Sequence, residues 1–138
     1  MVGDNGTILT TPDAGVNWTT RVSGTAEDLL GVAYDPVNLR WVAVGTNGTI
    51  LYSDDDGVTW AAAATVPVAT DLHAVAHDGV HGFLAAGASN AVISSTDGDS
   101  WAFRFERSTT DLNALAWRGT EQVLIVGNAS VAELTASG

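Results

Sequence analysis

The chain has 138 residues, 46% of them hydrophobic, with no cysteine, no lysine and a formal net charge of −11. That length suits one domain with a buried core, and the lack of cysteine removes disulfides, thiolate nucleophiles and cysteine metal sites together. Five arginines against sixteen acids give no basic stripe for phosphate, which argues against a nucleic-acid partner, and the longest apolar run, near Trp60 to Ala64, falls far short of the roughly 20 residues of a membrane helix.

In chain order, Met1-Val2-Gly3 reads as the end of a strand. Asn5-Gly6 follows as a turn, Thr7-Ile8-Leu9 as the next strand, and Asp13, Gly15 and Trp18 as a spaced polar turn. The same series returns 42 positions later as Val44-Gly45, Asn47-Gly48, Thr49-Ile50-Leu51, then Asp55, Gly57 and Trp60. A worn third copy runs from Gly87 through Ser95, Asp97, Gly98 and Trp101, one residue short between Asp and Gly. The rest of the chain follows the same period. Asp28-Leu29-Leu30-Gly31-Val32-Ala33-Tyr34 recurs from Asp71 to His77 and from Asp111 to Trp117, and each copy is followed by an apolar run ending in Gly45, Gly87 or Gly127. A fixed period of this size marks a modular array whose units bury their apolar faces only against neighbours. The expected division is a single domain, 1–138, with repeats at about 1–27 (partial), 28–70, 71–110 and 111–138 (partial).

Each full repeat predicts four short antiparallel strands. In the second they are a (Leu29 to Tyr34), b (Trp41 to Val44), c (Thr49 to Ser53) and d (about Trp60 to Thr65). Asn5-Gly6 and Asn47-Gly48 predict two-residue hairpins between b and c, because both positions tolerate positive φ; Ser89-Asn90 fills the third slot. On strand a, Leu29, Gly31 and Ala33 are expected on one face and Leu30, Val32 and Tyr34 on the other, both mainly apolar, as a sheet covered on both sides requires. Four such strands per repeat match an all-β propeller blade.

The pattern Ser53-x-Asp55-x-Gly57-x-Thr59-Trp60 resembles the Asp-box, or bacterial neuraminidase repeat. With the preceding Gly-x-Asn-Gly-Thr-Ile-Leu it is most similar to the propellers of the photosystem II assembly factor family, over nearly the whole chain. Thr11-x-Asp13-x-Gly15-x-Asn17-Trp18 and Ser95-x-Asp97-Gly98-x-x-Trp101 depart from it in part. The resemblance implies structural boxes on the outer part of each blade, formed by Asp13, Gly15 and Trp18, by Ser53, Asp55, Gly57 and Trp60, and by Ser95, Asp97, Gly98 and Trp101. It implies neither a catalytic residue nor a cofactor. Sialidases share the shorter box, but their arginine cluster and Tyr-Glu pair have no counterpart here.

About three blades are too few to close a ring. The expectation is therefore a homo-oligomer, favoured as a six-bladed dimer in which the opening c–d strands of one copy complete the closing a–b of the next. A segment of a longer array is the competing reading. His73, His77 and His81 suggest no metal site, since four residues of strand separate two side chains by about 13 Å. The position shared by Tyr34, His77 and Trp117 is aromatic in all three copies. With His73 and Asn113 it is the candidate ligand-binding set, weighed against packing between blades. The function expected is a non-catalytic propeller scaffold binding a protein or glycan partner. The alternatives are a structural virion component of a phage, whether decoration, spike or tail protein, and a fragment of a sialidase-like glycoside hydrolase. No membrane insertion is expected, and the location stays open.

Overall fold

A computed structural model of the chain describes residues 1–105, 111–118, 122–128 and 131–135. Fourteen strands follow one another. They are β1 (Val2–Gly3), β2 (Thr7–Thr10), β3 (Thr19–Arg21), β4 (Leu29–Asp35), β5 (Arg40–Gly45), β6 (Ile50–Ser53), β7 (Ala61–Ala62), β8 (Leu72–His77), β9 (Phe83–Gly87), β10 (Val92–Ser95), β11 (Ala102–Phe105), β12 (Leu112–Arg118), β13 (Gln122–Gly127) and β14 (Val131–Thr135). They form four antiparallel sheets in meander order, β1-β2-β3, β4 to β7, β8 to β11 and β12-β13-β14. These are successive propeller blades, and the described residues contain no α-helix.

Side-chain alternation places the second and third sheets each between two neighbours. On β5, Val42 and Val44 face the third sheet, where they pack with Leu72, Phe83, Ala85, Ile93 and Trp101. Ala43, one residue out of phase, packs with Ile8, Leu29 and Leu51 toward the first sheet. The third junction joins Leu84, Ala86 and Val92 to Leu112 and Ile125. Small residues let the inner strands approach, since a β-carbon on Gly31 would meet the Val75 amide at 3.3 Å.

Three local expectations are corrected. First, strand a does not alternate cleanly: Leu29 pairs with Gly45 and Gly31 with Val44, so Leu30 is an extra residue, and the same irregularity recurs at His73 and Asn113. Such a bulge switches the faces. Leu29 consequently packs toward the first sheet and Ala33 toward the third, although they share parity. Second, three residues rather than two link b to c. Gly45 N–H donates to the Thr49 carbonyl at 2.9 Å, and Thr46 to Gly48 form one tight turn with Asn47 at φ 53° and Gly48 at φ 68°. Third, β7 covers only Ala61–Ala62. From Ala64 the backbone turns to the next blade, where Ala64 N–H donates to Asp99 Oδ1 at 2.7 Å and Trp101 N–H to the Thr65 carbonyl at 3.0 Å.

At the C-terminal end β14 pairs antiparallel with β13, Val126 opposite Val131 and Gln122 opposite Thr135. It thus takes the c position of the fourth sheet.

Candidate functional site

The acidic turns between strands c and d are built alike. In the second blade Asp55 Oδ1 accepts from Ser53 Oγ (2.9 Å) and from the Thr59 amide (2.8 Å), while Oδ2 accepts from Thr59 Oγ1 (2.6 Å). Ser53 Oγ in turn accepts from the Gly57 amide, and the Trp60 indole donates to the Gly57 carbonyl at 3.0 Å. Asn17 replaces Thr59 in the first blade, with its side chain on Asp13 Oδ2 at 2.6 Å and its amide on Oδ1 at 2.8 Å. In the third blade the shortened turn brings the amides of Asp99 and Ser100 to Asp97 Oδ1, both at 2.9 Å.

Donors concentrated on one carboxylate favour its charged form. The Asn17 amide and side chain hold Asp13 at about 2, and the Thr59 hydroxyl and amide hold Asp55 at about 2. The Ser100 amide draws Asp97 below its usual range. Carboxylates fixed this way are neither proton donors near neutral pH nor open ligands. Among the described residues no three His, Cys, Asp or Glu come together in a group that could hold a metal ion.

The candidate binding set is divided among separate duties. Tyr34 stacks on Trp41 of its own sheet with ring centroids 4.6 Å apart. The His77 side chain is only 4% exposed; its Nε2 lies 3.5 Å from Asp35 Oδ2 of the preceding blade, its Nδ1 accepts from the Gly79 amide, and its ring meets Phe83 edge-on at 4.7 Å. His73 spans the next junction, with Nδ1 2.9 Å from the Leu112 carbonyl. Asn113 bonds Asn128 at 2.6 Å and is exposed. The Trp117 side chain lies outside the described residues. His81 pairs with Asp78 of its own turn at 2.7 Å, so the three histidines serve three different partners.

Arginine is likewise dispersed. Arg21 Nε donates to Thr10, Arg104 Nε to Ser94, and Arg40 grips Asp54 while its other nitrogen reaches the Asp97 carbonyl across the junction. The described residues show no arginine cluster for a substrate carboxylate.

One set with an evident role carried only a repeat signal in the sequence. Asp28, Asp71 and Asp111 each stand before strand a. The side chain of each accepts an amide from the b–c turn of the preceding blade, Asn5 (2.8 Å), Asn47 (3.0 Å) and Ser89 (3.1 Å). Their own carbonyls accept from Thr46, Ala88 and Asn128 of the same blade. One residue thus ties two blades, and its recurrence at each strand a was the available sign.

A second feature arises from no motif. Between the first two sheets lies a cleft of about 210 Å3 lined by Met1, Val2, Thr10, Val32, Trp41 and Trp60 among others, with Asp56 and Gly57 on its wall. Ligand pockets for small molecules run roughly 300–1,000 Å3, so this one suits a few side chains.

The fold and these junctions define a segment of β-propeller. Among solved structures the chain resembles one described as YCF48 bound to D1 peptide, with a TM-score of 0.75 and 15% identity over 98% of this chain and 46% of that one. It also matches YCF48 from Cyanidioschyzon merolae, with a TM-score of 0.45 and 14% identity over 98% of this chain and 62% of the other. The chain therefore spans about half the length of the first of these. No family model and no curated protein matches the sequence.

Proposed function

We propose that the chain is a non-catalytic propeller segment, an Asp-box array, that binds a protein partner through an extended peptide. The observation that carries this reading is the likeness in fold, over 98% of the chain, to a propeller described as bound to a peptide. The sequence resemblance to the photosystem II assembly factor family points the same way. The state of the polar side chains also supports it: the repeated carboxylates, His73, His77 and Arg40 are engaged in holding turns or junctions, and Arg21 and Arg104 bond across strands of their own sheets. Catalysis would need two such groups converging on one bond with pKa values set apart. Glycan binding has less support, because the aromatic positions Tyr34 and His77 are engaged with Trp41, tilted, and with Phe83, edge-on, rather than presented as platforms.

The test is retention of the purified chain on an array of unstructured peptides beside an array of glycans. Retention by peptides with alternating apolar residues is expected. Retention confined to glycans, or release of a sugar product, would overturn the reading.

A further inference from the structure

The a–b turns of the second and third blades follow one plan. Asp35 Oδ1 accepts the Val37 amide and Asp78 Oδ1 the Val80 amide, each at 2.8 Å. The two turns stand side by side, since Asp35 Oδ2 lies 3.5 Å from Nε2 of His77, the residue before Asp78. Both valines face solvent, Val37 at 67% and Val80 at 63% exposure. Val80 has the complete second blade before it and is as open as Val37, so openness belongs to the turn itself.

Leu39, in the first of these turns, is the more unusual residue. It is 61% exposed and stands at φ 56°. That conformation crowds the β-carbon and is rare for a bulky side chain. The other non-glycine positions at positive φ among the described residues hold Asn, Asp, Ser or Ala, and the third-blade turn gives its own to Gly79 and Gly82. None of the buried clusters includes Leu39. Neither the backbone nor burial therefore favours leucine here, and a residue that costs the fold on both counts points to a contact outside the chain.

Charge selects the partner. Strand c ends beside the start of strand b, Ser53 opposite Trp41 and Ser95 opposite Phe83, so the acidic turns lie at the same end of the sheets as Val37, Leu39 and Val80. There Asp54, Asp56 and Asp97 are exposed. Arg40, the arginine of these turns, is already bound to Asp54 at 2.7 Å. With a net charge of −11 on the chain, such a rim attracts Arg or Lys beside an apolar side chain and repels an anionic lipid surface.

We infer that the paired a–b turns of the second and third blades are the peptide site, and that its occupant is an extended segment of a partner protein in which apolar side chains alternate with Arg or Lys. Val37, Leu39 and Val80 receive the apolar side chains, and Asp54, Asp56 and Asp97 face the basic ones. This rests on the peptide-binding reading above and adds to it the place and the sequence pattern.

The probe is a short fluorescein-labelled peptide of alternating valine and lysine, read by anisotropy, with a peptide of alternating valine and glutamate as control. Saturable binding of the first and none of the second is expected. Leu39→Asn separates a contact residue from a structural one, because asparagine tolerates positive φ better than leucine. The urea midpoint is expected to hold or rise in this variant while probe binding weakens at least about tenfold. The double variant Val37→Ser with Val80→Ser is expected to weaken binding as much, and circular dichroism establishes that each variant is folded. A midpoint lowered by Leu39→Asn would assign the leucine to the fold and overturn the inference. So would equal binding of the two peptides, absence of probe binding, or binding indifferent to both variants. If array peptides are still retained in those cases, the broader reading survives; if none are retained, both fall. Self-association lost in Leu39→Asn would give the turns to a second copy, and retention on phosphatidylcholine vesicles lost in the same variant would give them to a membrane; either would equally overturn the inference.

Discussion

Gly3, Gly45 and Gly87 occupy the same place, the end of strand b, yet the structure gives them different surroundings. Gly87 is extended, at φ −168°, so it is not required by backbone angle. It is required because the Asp71 carbonyl crosses over it to accept the Ala88 amide at 2.8 Å. A β-carbon there would sit far inside 3.0 Å of the Asp71 oxygen and 2.7 Å from Leu72 Cα, and Gly45 meets Asp28 in the same manner. Gly3 has no such strand over it, and its β-carbon would meet only Thr7 Cβ at 4.0 Å. Replacing Gly87 by Ala forces backbone apart, at roughly 1–3 kcal/mol for overpacking. It also displaces Asp71, whose carbonyl and carboxylate bonds contribute roughly 1 kcal/mol each. The expected loss is about 2–4 kcal/mol for Gly87→Ala and likewise for Gly45→Ala, whereas Gly3→Ala is neutral or gains roughly 0.5 kcal/mol from a stiffer unfolded chain. Urea denaturation followed by circular dichroism reads this as a midpoint lowered by about 1–2 M in the first two and unchanged in the third. Losses at Gly87 and Gly3 that agree within about 0.5 kcal/mol would refute the crossing-strand argument.

Acid sensitivity follows from the turns. Burial pushes Asp35 and Asp78 up, but Asn38 and Val37 in one case, and the amides of Val80, His81 and Gly82 in the other, more than offset it, so both titrate below 3.8, as Asp97 does. Asp13 and Asp55 lie at about 2. A folded pKa below the unfolded one gives stability that is fully present above the unfolded value and lost as pH falls through the folded value. The urea midpoint is therefore expected to hold steady down to about pH 5 and to fall between about pH 4 and pH 2; a midpoint that rises on acidification would contradict the bonding described. The box tryptophans should differ in weight although their hydrogen bonds are alike. Trp101→Ala, at 3% exposure, is expected to cost about 3–5 kcal/mol, while Trp18→Ala, at 47%, stays within about 1 kcal/mol by the same denaturation assay.

The four-strand repeat was legible because its signals are local. Val42, Ala43 and Val44 alternate, Asn47-Gly48 accepts positive φ, and Asp55 finds its donors within four residues. What escaped the sequence depends on a second blade. The extra residue at Leu30, His73 and Asn113 leaves no mark in composition, since a leucine, a histidine and an asparagine occupy the same place in the pairing of strands a and b. β7 is short because Asp99 of the neighbour captures the backbone after Ala63, which the uniform run Ala61 to Ala64 does not announce. His77 has its Nε2 3.5 Å from Asp35 Oδ2 across a junction, a contact between residues 42 positions apart that strand patterning does not announce. The cleft is less legible still, because its walls come from two sheets, with Val2 and Thr10 on one and Val32, Trp41 and Trp60 on the other.

The three box tryptophans show how each blade leans on the one before it. Each indole makes the same bond, to the carbonyl of Gly15, Gly57 or Gly98, so local chemistry does not distinguish them. Their burial does: Trp18 is exposed, Trp60 half-buried and Trp101 buried. Trp101 packs in the cluster of Val42 and Phe83, and Trp60 against that of Ile8 and Leu51, so the tryptophan of each blade leans on the blade before it. Burial of the indole therefore measures how completely the preceding blade covers it. Trp101 is covered by the full hairpin of β4 and β5, Trp60 by the short cover of β1 and β2.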